Sequence, residues 1–480
     1  MSTTLTRDRP LGLGVTRPAD ARVLAAAGVA AVLTDLAVRS DVVGLGGSLL
    51  VIAVVAGVLA GGRVKSVEPA CVIGAAVPFG VFLSVRMSPW LLPLDILAIA
   101  GLLVLGTSLA AGGRLFDLPV PSLAVRGLHA VAHGLAAPAF VAAPLGRSRS
   151  AAVLRGLGLA LPLLVVLGLL LASADAVFAG FFDWWSPTEL IVHAVLLGIG
   201  AWGMAGLLRL ASAEPAPAAP ALPYRLGHVE ATVVLGSLVA LFGVFAAAQV
   251  VALAGGARHV LETAGLTYAE YAREGFFQLL AVAAITLVAL VGLRAVPDLS
   301  DPGRLRRFKA LGELAIVLTL AILFVALRRL GLYQQAYGLT MLRLCSFVFA
   351  VWVGVVLVMA GVALAGVGAR RAWLPGGALV AGLALLFGLN AADPEALVVR
   401  HNVGREVRVD PAYLAELSDD AVPELVRALP RLGELDRASV LAAVCAGVQS
   451  PYDGWAAANA SRRRAMDARR QVCRPAGVRR

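Results

Sequence analysis

The sequence predicts an all-α fold, a polytopic transmembrane helix bundle of about eleven spans with a small helical C-terminal soluble domain. Of its 480 residues, 59% are hydrophobic and 15% are charged, and its mean hydropathy is +0.85. An ordinary soluble domain carries about 25% charged residues. The apolar residues also form runs of about 20, the length that crosses roughly 30 Å of hydrocarbon. We therefore expect lipid to surround most of the chain.

The predicted spans follow a basic N-terminal segment, residues 1–20. The apolar runs do not alternate with a period of two, and lipid offers no partner to unpaired backbone groups, so helices are expected instead of a β-barrel. The runs lie near residues 21–38, 42–61, 69–86, 91–111, 151–175, 189–209, 228–254, 275–296, 310–330, 339–366 and 373–391.

Residues 121–145 are apolar but are expected to lie in the membrane interface, because they include Arg126, His129 and His133. A helix in the headgroup plane would keep these charges on one side together with the neighbouring arginines. His129 and His133 share a helical face, but no third ligand lies nearby in sequence, so no metal site is predicted.

A proline- and alanine-rich linker, residues 211–227, divides the membrane region into two blocks. Its four prolines make it too stiff and too broken for a helix. Residues 21–210 form the first block, with six spans, and residues 228–391 form the second, with five.

The distribution of basic residues predicts the orientation, since cytoplasmic loops hold the excess of Arg and Lys. Alternate connections hold 20 of the 41 basic residues on the side of the N-terminus and 7 on the other, and the rest follow residue 392. The N-terminus is therefore expected on the cytoplasmic side of a bacterial plasma membrane. With eleven spans, the tail would be extracytoplasmic.

The soluble tail, residues 392–480, begins with Asp393, which is expected to cap a helix that starts at Pro394 and Glu395. Further helices are expected up to residue 446, and the Arg-rich end from Arg462 is expected to be flexible.

Two of the four cysteines, Cys445 and Cys473, both lie in the tail. They form a possible disulfide if the tail is in an oxidising compartment. Cys71 and Cys345 lie in apolar runs.

The most polar stretch near a membrane face runs over residues 267–278. Thr267 and Glu270 are predicted to form a capping box, with Arg273 and Glu274 on the same turns and aromatic residues around them. This is either a capped helix start whose charges pair locally or a functional mouth that binds an ion or a small polar molecule.

Two further candidates for this mouth, Arg343 and His193, are expected about one turn inside the same face. Arg343 either extends towards the headgroups or pairs with Glu270, Glu274 or Glu189. His193 is either a hydrogen-bonded histidine of the bundle or a proton relay. Asp35 and Asp95 are expected as helix-end residues that touch water.

The chain resembles a family of bacterial integral membrane proteins, those grouped under domain of unknown function 4153 and the similar 4173. The resemblance rests on residues 267–278, on Asn390, Asp393 and Glu395 at the start of the tail, and on residues 400–402 and 418–423. It implies a membrane location and a helical fold, and it implies no activity, cofactor or catalytic residue.

Three functions remain open from the sequence. The chain contains no P-loop, no Gly-x-Ser-x-Gly elbow, no His-Glu-x-x-His and no Cys-x-x-Cys, so an enzyme is less expected than a binding protein. Nucleic acid is not an expected partner because the basic residues are dispersed. We expect transport-like ligand binding at the outer face, an enzyme acting on lipid-linked envelope precursors, or a sensor or scaffold whose tail binds a protein. Membrane lipids are the expected partners, and no cofactor is predicted.

Overall fold

The computed structural model of the chain describes residues 13–16, 18–40, 42–62, 64–145, 167, 170–171, 187–219, 227–254, 275–293, 301–366, 372–403, 410–447 and 454–473. Helices form most of these residues, and no β-strand occurs among them. The predicted all-α membrane bundle with a helical tail is confirmed.

Thirteen described helices belong to the membrane region. In chain order they are α1 (Ala21–Val38), α2 (Leu45–Gly61), α3 (Val67–Gly74), α4 (Ala76–Phe82), α5 (Leu92–Ala111), α6 (Val120–Leu135), α7 (Ala137–Leu145), α8 (Pro187–Ala211), α9 (His228–Ala254), α10 (Phe276–Leu293), α11 (Pro302–Tyr337), α12 (Met341–Ala365) and α13 (Trp373–Ala392).

Eight of the described helices are long and apolar enough to cross a membrane: α1, α5 and α8 to α13. Two predicted spans correspond to shorter apolar helices, α2 and the pair α3 and α4. The run at 151–175 lies outside the described residues. The chain is a multi-pass membrane protein, and the number of eleven spans stays a prediction.

Local sequence signals determine several helix ends. The carboxylate of Asp20 accepts the amide of Val23 at 3.0 Å and begins α1, and Asp301 accepts the amide of Gly303 at the start of α11. These short polar side chains satisfy amides that have no partner inside the helix. Gly366 ends α12 in the left-handed conformation, which glycine adopts without steric cost.

The two largest apolar cores among the described residues lie within the membrane helices. The core of α1 to α8 includes Val58, Ile73 and Leu208, and the core of α9 to α13 includes Ala283 and Leu357. Helix α13 also touches the first core, where Leu383 and Leu386 pack and where the Phe387 ring lies 5.4 Å from that of Phe82. Because α13 leads directly into the tail, it links all three parts of the chain.

Helix α6 packs against α5 and α8 and turns its polar side chains inwards. Arg126, His129 and His133 are all buried. Hydrogen bonds of Arg126 to Ser108 and Gly112 and the contact of Arg209 with His133 offset part of the cost of burying these groups. The interfacial position of residues 121–145 stays a prediction.

The described part of the tail forms five helices around its own core: α14 (Pro394–Val403), α15 (Pro411–Ala415), α16 (Val422–Ala428), α17 (Glu434–Ala446) and α18 (Ala460–Val472). A disulfide joins Cys445 to Cys473, with 5.6 Å between the Cα atoms. It ties the end of α17 to the end of α18.

The Arg-rich end differs from the expected flexible segment, because residues 460–472 form the ordered helix α18. Arg469 is buried, donates from Nε to the carbonyl of Val444 at 3.0 Å, and pairs with Asp419 at 2.6 Å. The chain does not become a solvated basic tail at Arg462, because some of its arginines pack inside the domain. The last seven residues lie outside the described part.

Candidate functional site

The tail lies against one end of the bundle, which we call the tail-side end. Three connections meet it there: residues 83–91 between α4 and α5, residues 338–340 between α11 and α12, and the direct junction of α13 and α14. The starts of α2 and α5 belong to the same end. We call the polar contacts that hold the tail here the docking network.

Asp393 stands at the junction of α13 and α14 in the left-handed conformation, with φ of 57°. Its carboxylate accepts the amide of Ala396 at 3.3 Å and pairs with the guanidinium of Arg86. Arg86 also donates from Nε to the carbonyl of Asn390 at 2.8 Å. The carboxylate of Asp393 therefore caps α14 and also pairs with Arg86, which donates to a carbonyl in the last turn of α13.

Asn390 and Asp95 continue this network into the bundle. The amide nitrogen of Asn390 donates to Oδ1 of Asp95 at 2.8 Å, and both side chains are buried. Asp95 does not touch water, contrary to the expectation for a helix-end residue. A buried carboxylate needs a donor, because an unpaired charge inside the bilayer is costly. The pair thus joins α5 to α13 at their tail-side ends.

Asp420 is the main contact between the tail and the loop before α5. Its carboxylate accepts the backbone amide of Met87 at 3.1 Å and that of Ser88 at 3.0 Å, and only 3% of the residue is exposed. Burial raises the pKa of Asp420 to about 6. The carboxylates of Asp393 and Glu395 also act to raise this pKa, and hydrogen bonds with Ser461 and Met87 act to lower it.

Asn459 provides a second attachment, on a separate segment of the tail. Its buried side chain donates to the carbonyls of Leu83 at 3.2 Å and Arg86 at 3.1 Å, while its oxygen caps α18 at the amide of Ser461. Gly44 fits beneath this segment, because a Cβ there would lie 2.7 Å from the carbonyl oxygen of Ala458.

A third attachment holds the α11–α12 connection. Asn402 accepts the amide of Leu339 at 2.7 Å and donates to its carbonyl at 2.8 Å. The hydroxyl of Tyr413 accepts the amide of Met341 at 2.7 Å, and burial raises the pKa of Tyr413. Three separate parts of the tail thus bind backbone groups of the membrane region.

Arg343 lies in the first turn of α12 and binds back to the end of α11 and the connection after it. It donates to the carbonyls of Tyr337 at 3.0 Å and Gly338, and its guanidinium lies 4.0 Å from the centre of the Tyr333 ring. Among the described residues, no carboxylate pairs with Arg343. Its charge is stabilised by carbonyl dipoles and a π face.

His193 lies in a different cluster of the tail-side end, at the start of α8. Its Nδ1 is 2.7 Å from Oδ1 of Asp35, and Arg39 contacts the ring. Asp35 is largely buried, with 12% of its side chain exposed, and its carboxylate faces His193. The triad links α1 to α8, and His193 is a hydrogen-bonded bundle residue there.

The remaining candidates of the predicted mouth, Thr267, Glu270, Arg273 and Glu274, lie outside the described residues. Their predicted capping and ligand-binding roles stay predictions. Among the described residues, no group of three or more His, Cys, Asp or Glu is arranged to hold a metal ion.

The opposite end of the bundle holds a second polar group, which the sequence had placed only in the interface. His133 and His129 are 3.2 Å apart through their Nε2 atoms, and Arg209 of α8 contacts His133. Arg126 lies nearby on α6 and lines a cavity of about 290 Å³.

Sequence reasoning missed Arg86, Asp420, Asn459 and Arg126 as site residues. Asp420 and Asn390 belong to segments that were noticed for their family resemblance, so that signal pointed to the right place without a role. Arg86 and Arg126 were counted only as charges. Their partners are backbone carbonyls or residues about 300 positions away, which no local pattern reveals.

A protein-family model described as "Domain of unknown function (DUF4153)" matches residues 72–428 of the chain. The match includes Arg86, Asp95, Asn390, Asp393 and Asp420, and it ends before Asn459. Neither a curated protein nor a solved structure matches the chain.

Proposed function

The chain belongs to the family described as Domain of unknown function (DUF4153), and we propose that it is a membrane scaffold that displays its C-terminal domain, at a fixed position on the bundle, to an acidic partner. The chain is an integral membrane protein, and the docking network is the observation that carries the proposal. Asp420 and Asn459, from separate segments of the tail, bind backbone groups of the 83–91 connection, and Asn402 binds those of the 338–340 connection. These three side chains are short and buried, so their hydrogen bonds to backbone hold the tail at a defined position.

The polar groups of the tail-side end support this role because they are engaged in attachment. Asp393 pairs with Arg86, Asp95 accepts a hydrogen bond from Asn390, and Arg343 donates to backbone carbonyls. Groups that are committed to such contacts are poorly placed to bind a diffusing ligand, since each would lose a partner in doing so. We therefore assign the binding of a partner to the exposed surface of the tail.

The exposed surface of α18 supports an acidic partner. Arg463 and Arg464 are exposed, and no carboxylate pairs with either in the part of the chain that the structure describes. Arginine forms bidentate hydrogen bonds with carboxylates and phosphates. Two adjacent free guanidiniums on a rigid helix therefore favour an anionic surface.

Ligand binding or transport through the predicted mouth has less support. It depends on Glu270, Arg273 and Glu274, which lie outside the described residues, and on Arg343 and His193, which contact protein groups. Two cavities among the described residues, of about 290 and 420 Å³, are lined mainly by apolar side chains along the helices. Transport would instead require an open polar route through the bundle.

Rescue of a strain that lacks the protein tests the scaffold. The altered envelope-lipid and metabolite profile of that strain is measured first. Variants are then expressed in the strain to determine which of them restore the profile. We expect Arg463→Ala/Arg464→Ala to fail although it folds, and Glu270→Ala to restore the profile. The matched control is Arg306→Ala/Arg307→Ala, which removes two adjacent exposed arginines from α11 at the opposite end.

The scaffold is rejected if the α18 variant restores the profile as the wild type does. It is also rejected if Glu270→Ala abolishes rescue while α18 variants do not, because the working groups would then be in the predicted mouth. Equal melting temperatures for both arginine variants show that folding does not explain the difference.

A further inference from the structure

We infer that a lateral groove between α5, α6 and α13, at the end of the bundle opposite the tail, binds one anionic phospholipid. The phosphate contacts Arg126, and an acyl chain lies along α5 towards the middle of the membrane. This site is separate from the docking network and goes beyond the scaffold role.

Arg126 is a buried cation, and its partners among the described residues are neutral. It is 9% exposed, and it donates from Nη1 to the carbonyl of Ser108 at 2.9 Å and to its hydroxyl at 2.8 Å, and from Nη2 to the carbonyl of Gly112 at 2.6 Å. No carboxylate pairs with it within the described ranges. A guanidinium has five N–H donors, so two remain for an anion.

The surrounding backbone is shaped to hold this guanidinium. Gly113 has φ of +103°, and a Cβ there would clash with Nη2 of Arg126. The backbone of residues 112–113 therefore packs directly on the arginine and keeps it at the wall of the groove. A buried charge without a counter-ion is costly, and a bound phosphate would remove that cost through charge-assisted hydrogen bonds.

The groove has the form expected for a lipid chain. Its volume is about 290 Å³, and apart from Arg126 and Ser108 its walls are apolar or glycine, including Leu97 and Leu105 of α5 and Leu383 of α13. Leu97 and Ser108 are eleven residues apart, which corresponds to about 16 Å along a helix. The polar end of the groove lies at the C-terminal end of α5 and matches one headgroup. The apolar end matches part of one acyl chain.

Lateral access is open. Gly101 and Gly127 line the groove, and a Cβ on either would meet no atom within 4 Å. Lipid can therefore enter from the side. By contrast, the cavity of about 420 Å³ between α11 and α12 is lined by apolar residues and glycine and has no charged group to select a headgroup. The charge at Arg126 is what favours an anionic lipid.

Native mass spectrometry of the full-length protein tests the site. The protein is purified in mild detergent, and either phosphatidylglycerol or phosphatidylcholine is added. We expect one phosphatidylglycerol bound at least tenfold more tightly than phosphatidylcholine. Arg126→Gln should remove this preference, and Gly101→Leu should weaken binding of phosphatidylglycerol about tenfold by filling the groove. Gly236→Leu, at another open glycine on α9, should bind as the wild type does.

The inference fails if phosphatidylcholine binds equally well, or if Gly101→Leu retains full binding. Should Arg126→Gln not fold, Gly101→Leu still decides the matter, because Gly101 does not touch the arginine network. Inorganic phosphate provides the last arm. If millimolar phosphate displaces the lipid and binds Gly101→Leu as it binds the wild type, Arg126 is a site for a free anion, and the lipid assignment is overturned.

Discussion

Arg86 connects the membrane region to the tail at the scale of single residues. Its side chain is 9% exposed, it pairs with Asp393, and it donates to the carbonyl of Asn390. Replacing it would leave Asp393 without its counter-ion and the end of α13 without a donor. Loss of one partner from a buried pair costs far more than loss of an exposed pair.

We therefore expect Arg86→Ala to lower the free energy of unfolding by about 3 kcal/mol, within the range for broken buried pairs. Arg427→Ala is the matched control, since Arg427 pairs with Glu424 while its side chain is 67% exposed. Its effect should be below about 1 kcal/mol. Thermal unfolding in detergent measures both, and equal effects would show that Arg86 does not hold the junction.

Asp420 predicts a pH dependence. Its pKa of about 6 in the folded protein lies above the ordinary value of 3.8, so the docked tail binds the proton more tightly than the released tail. The stabilising contribution is complete below pH 4 and is lost as the pH rises through 6. A difference of about two pKa units corresponds to roughly 3 kcal/mol at most.

The wild-type protein should accordingly melt at a higher temperature at pH 5 than at pH 7.5, as far as Asp420 determines the difference. In Asp420→Asn this dependence should be smaller, because the amide does not titrate. Differential scanning fluorimetry at the two pH values gives the comparison. An unchanged slope in the variant would mean that Asp420 is not the titrating group.

At the scale of elements, the 455–458 segment and α2 are in close contact. The amide of Leu45 donates to the carbonyl of Ala458 at 2.9 Å, and Gly44 leaves no room for a side chain below it. Gly44 leaves space for the tail, because its nearest neighbours are backbone atoms of residues 456–458.

Gly44→Ala should therefore loosen α18 and the segment before it. We expect faster hydrogen exchange at residues 455–463 in this variant, measured by mass spectrometry. Gly28→Ala on α1 should leave exchange unchanged, since a Cβ there meets no atom within 4 Å. Identical exchange in the two variants would contradict the close contact at Gly44.

The elements also show how far sequence reasoning reaches. Apolar runs of about 20 residues predicted the long helices well, because lipid imposes the length. The cap at Asp393 followed from local chemistry. The order of α18 did not, because it depends on Arg469 reaching Asp419 and Val444. Charge density alone indicates a solvated segment, and only tertiary contacts reverse that expectation.

For the whole molecule, the charge distribution predicts that the tail faces an oxidising compartment, and the Cys445–Cys473 disulfide depends on this. In a Cys71→Ser/Cys345→Ser background, we expect no maleimide labelling of intact cells. After an impermeant reductant, an impermeant maleimide should label both tail cysteines. Labelling without any reductant, only after the cells are permeabilised, would place the tail in the cytoplasm.

The polar site of the whole molecule was only partly predictable. The segments at 390–395 and 418–423 were identified by their family resemblance. Their common role in attaching the tail follows only from the structure, in which α13, the loop before α5 and the tail lie together. Residues 267–274 of the predicted mouth, which include Thr267, Glu270, Arg273 and Glu274, lie outside the described residues. A site that is assembled from backbone groups of three distant connections leaves no spacing pattern in the sequence.

Cross-linking in native membranes tests the docked tail most directly. The amide of Ala460 lies 2.8 Å from the carbonyl of Ser84. In the Cys71→Ser/Cys345→Ser background, Ser84→Cys/Ala460→Cys is treated with a short thiol cross-linker and analysed by mass spectrometry, with Arg306→Cys/Ala460→Cys as control. We predict an efficient intramolecular link for the first pair and none for the control. Free, fully labelled thiols at 84 and 460 would contradict the attachment of the tail to the bundle.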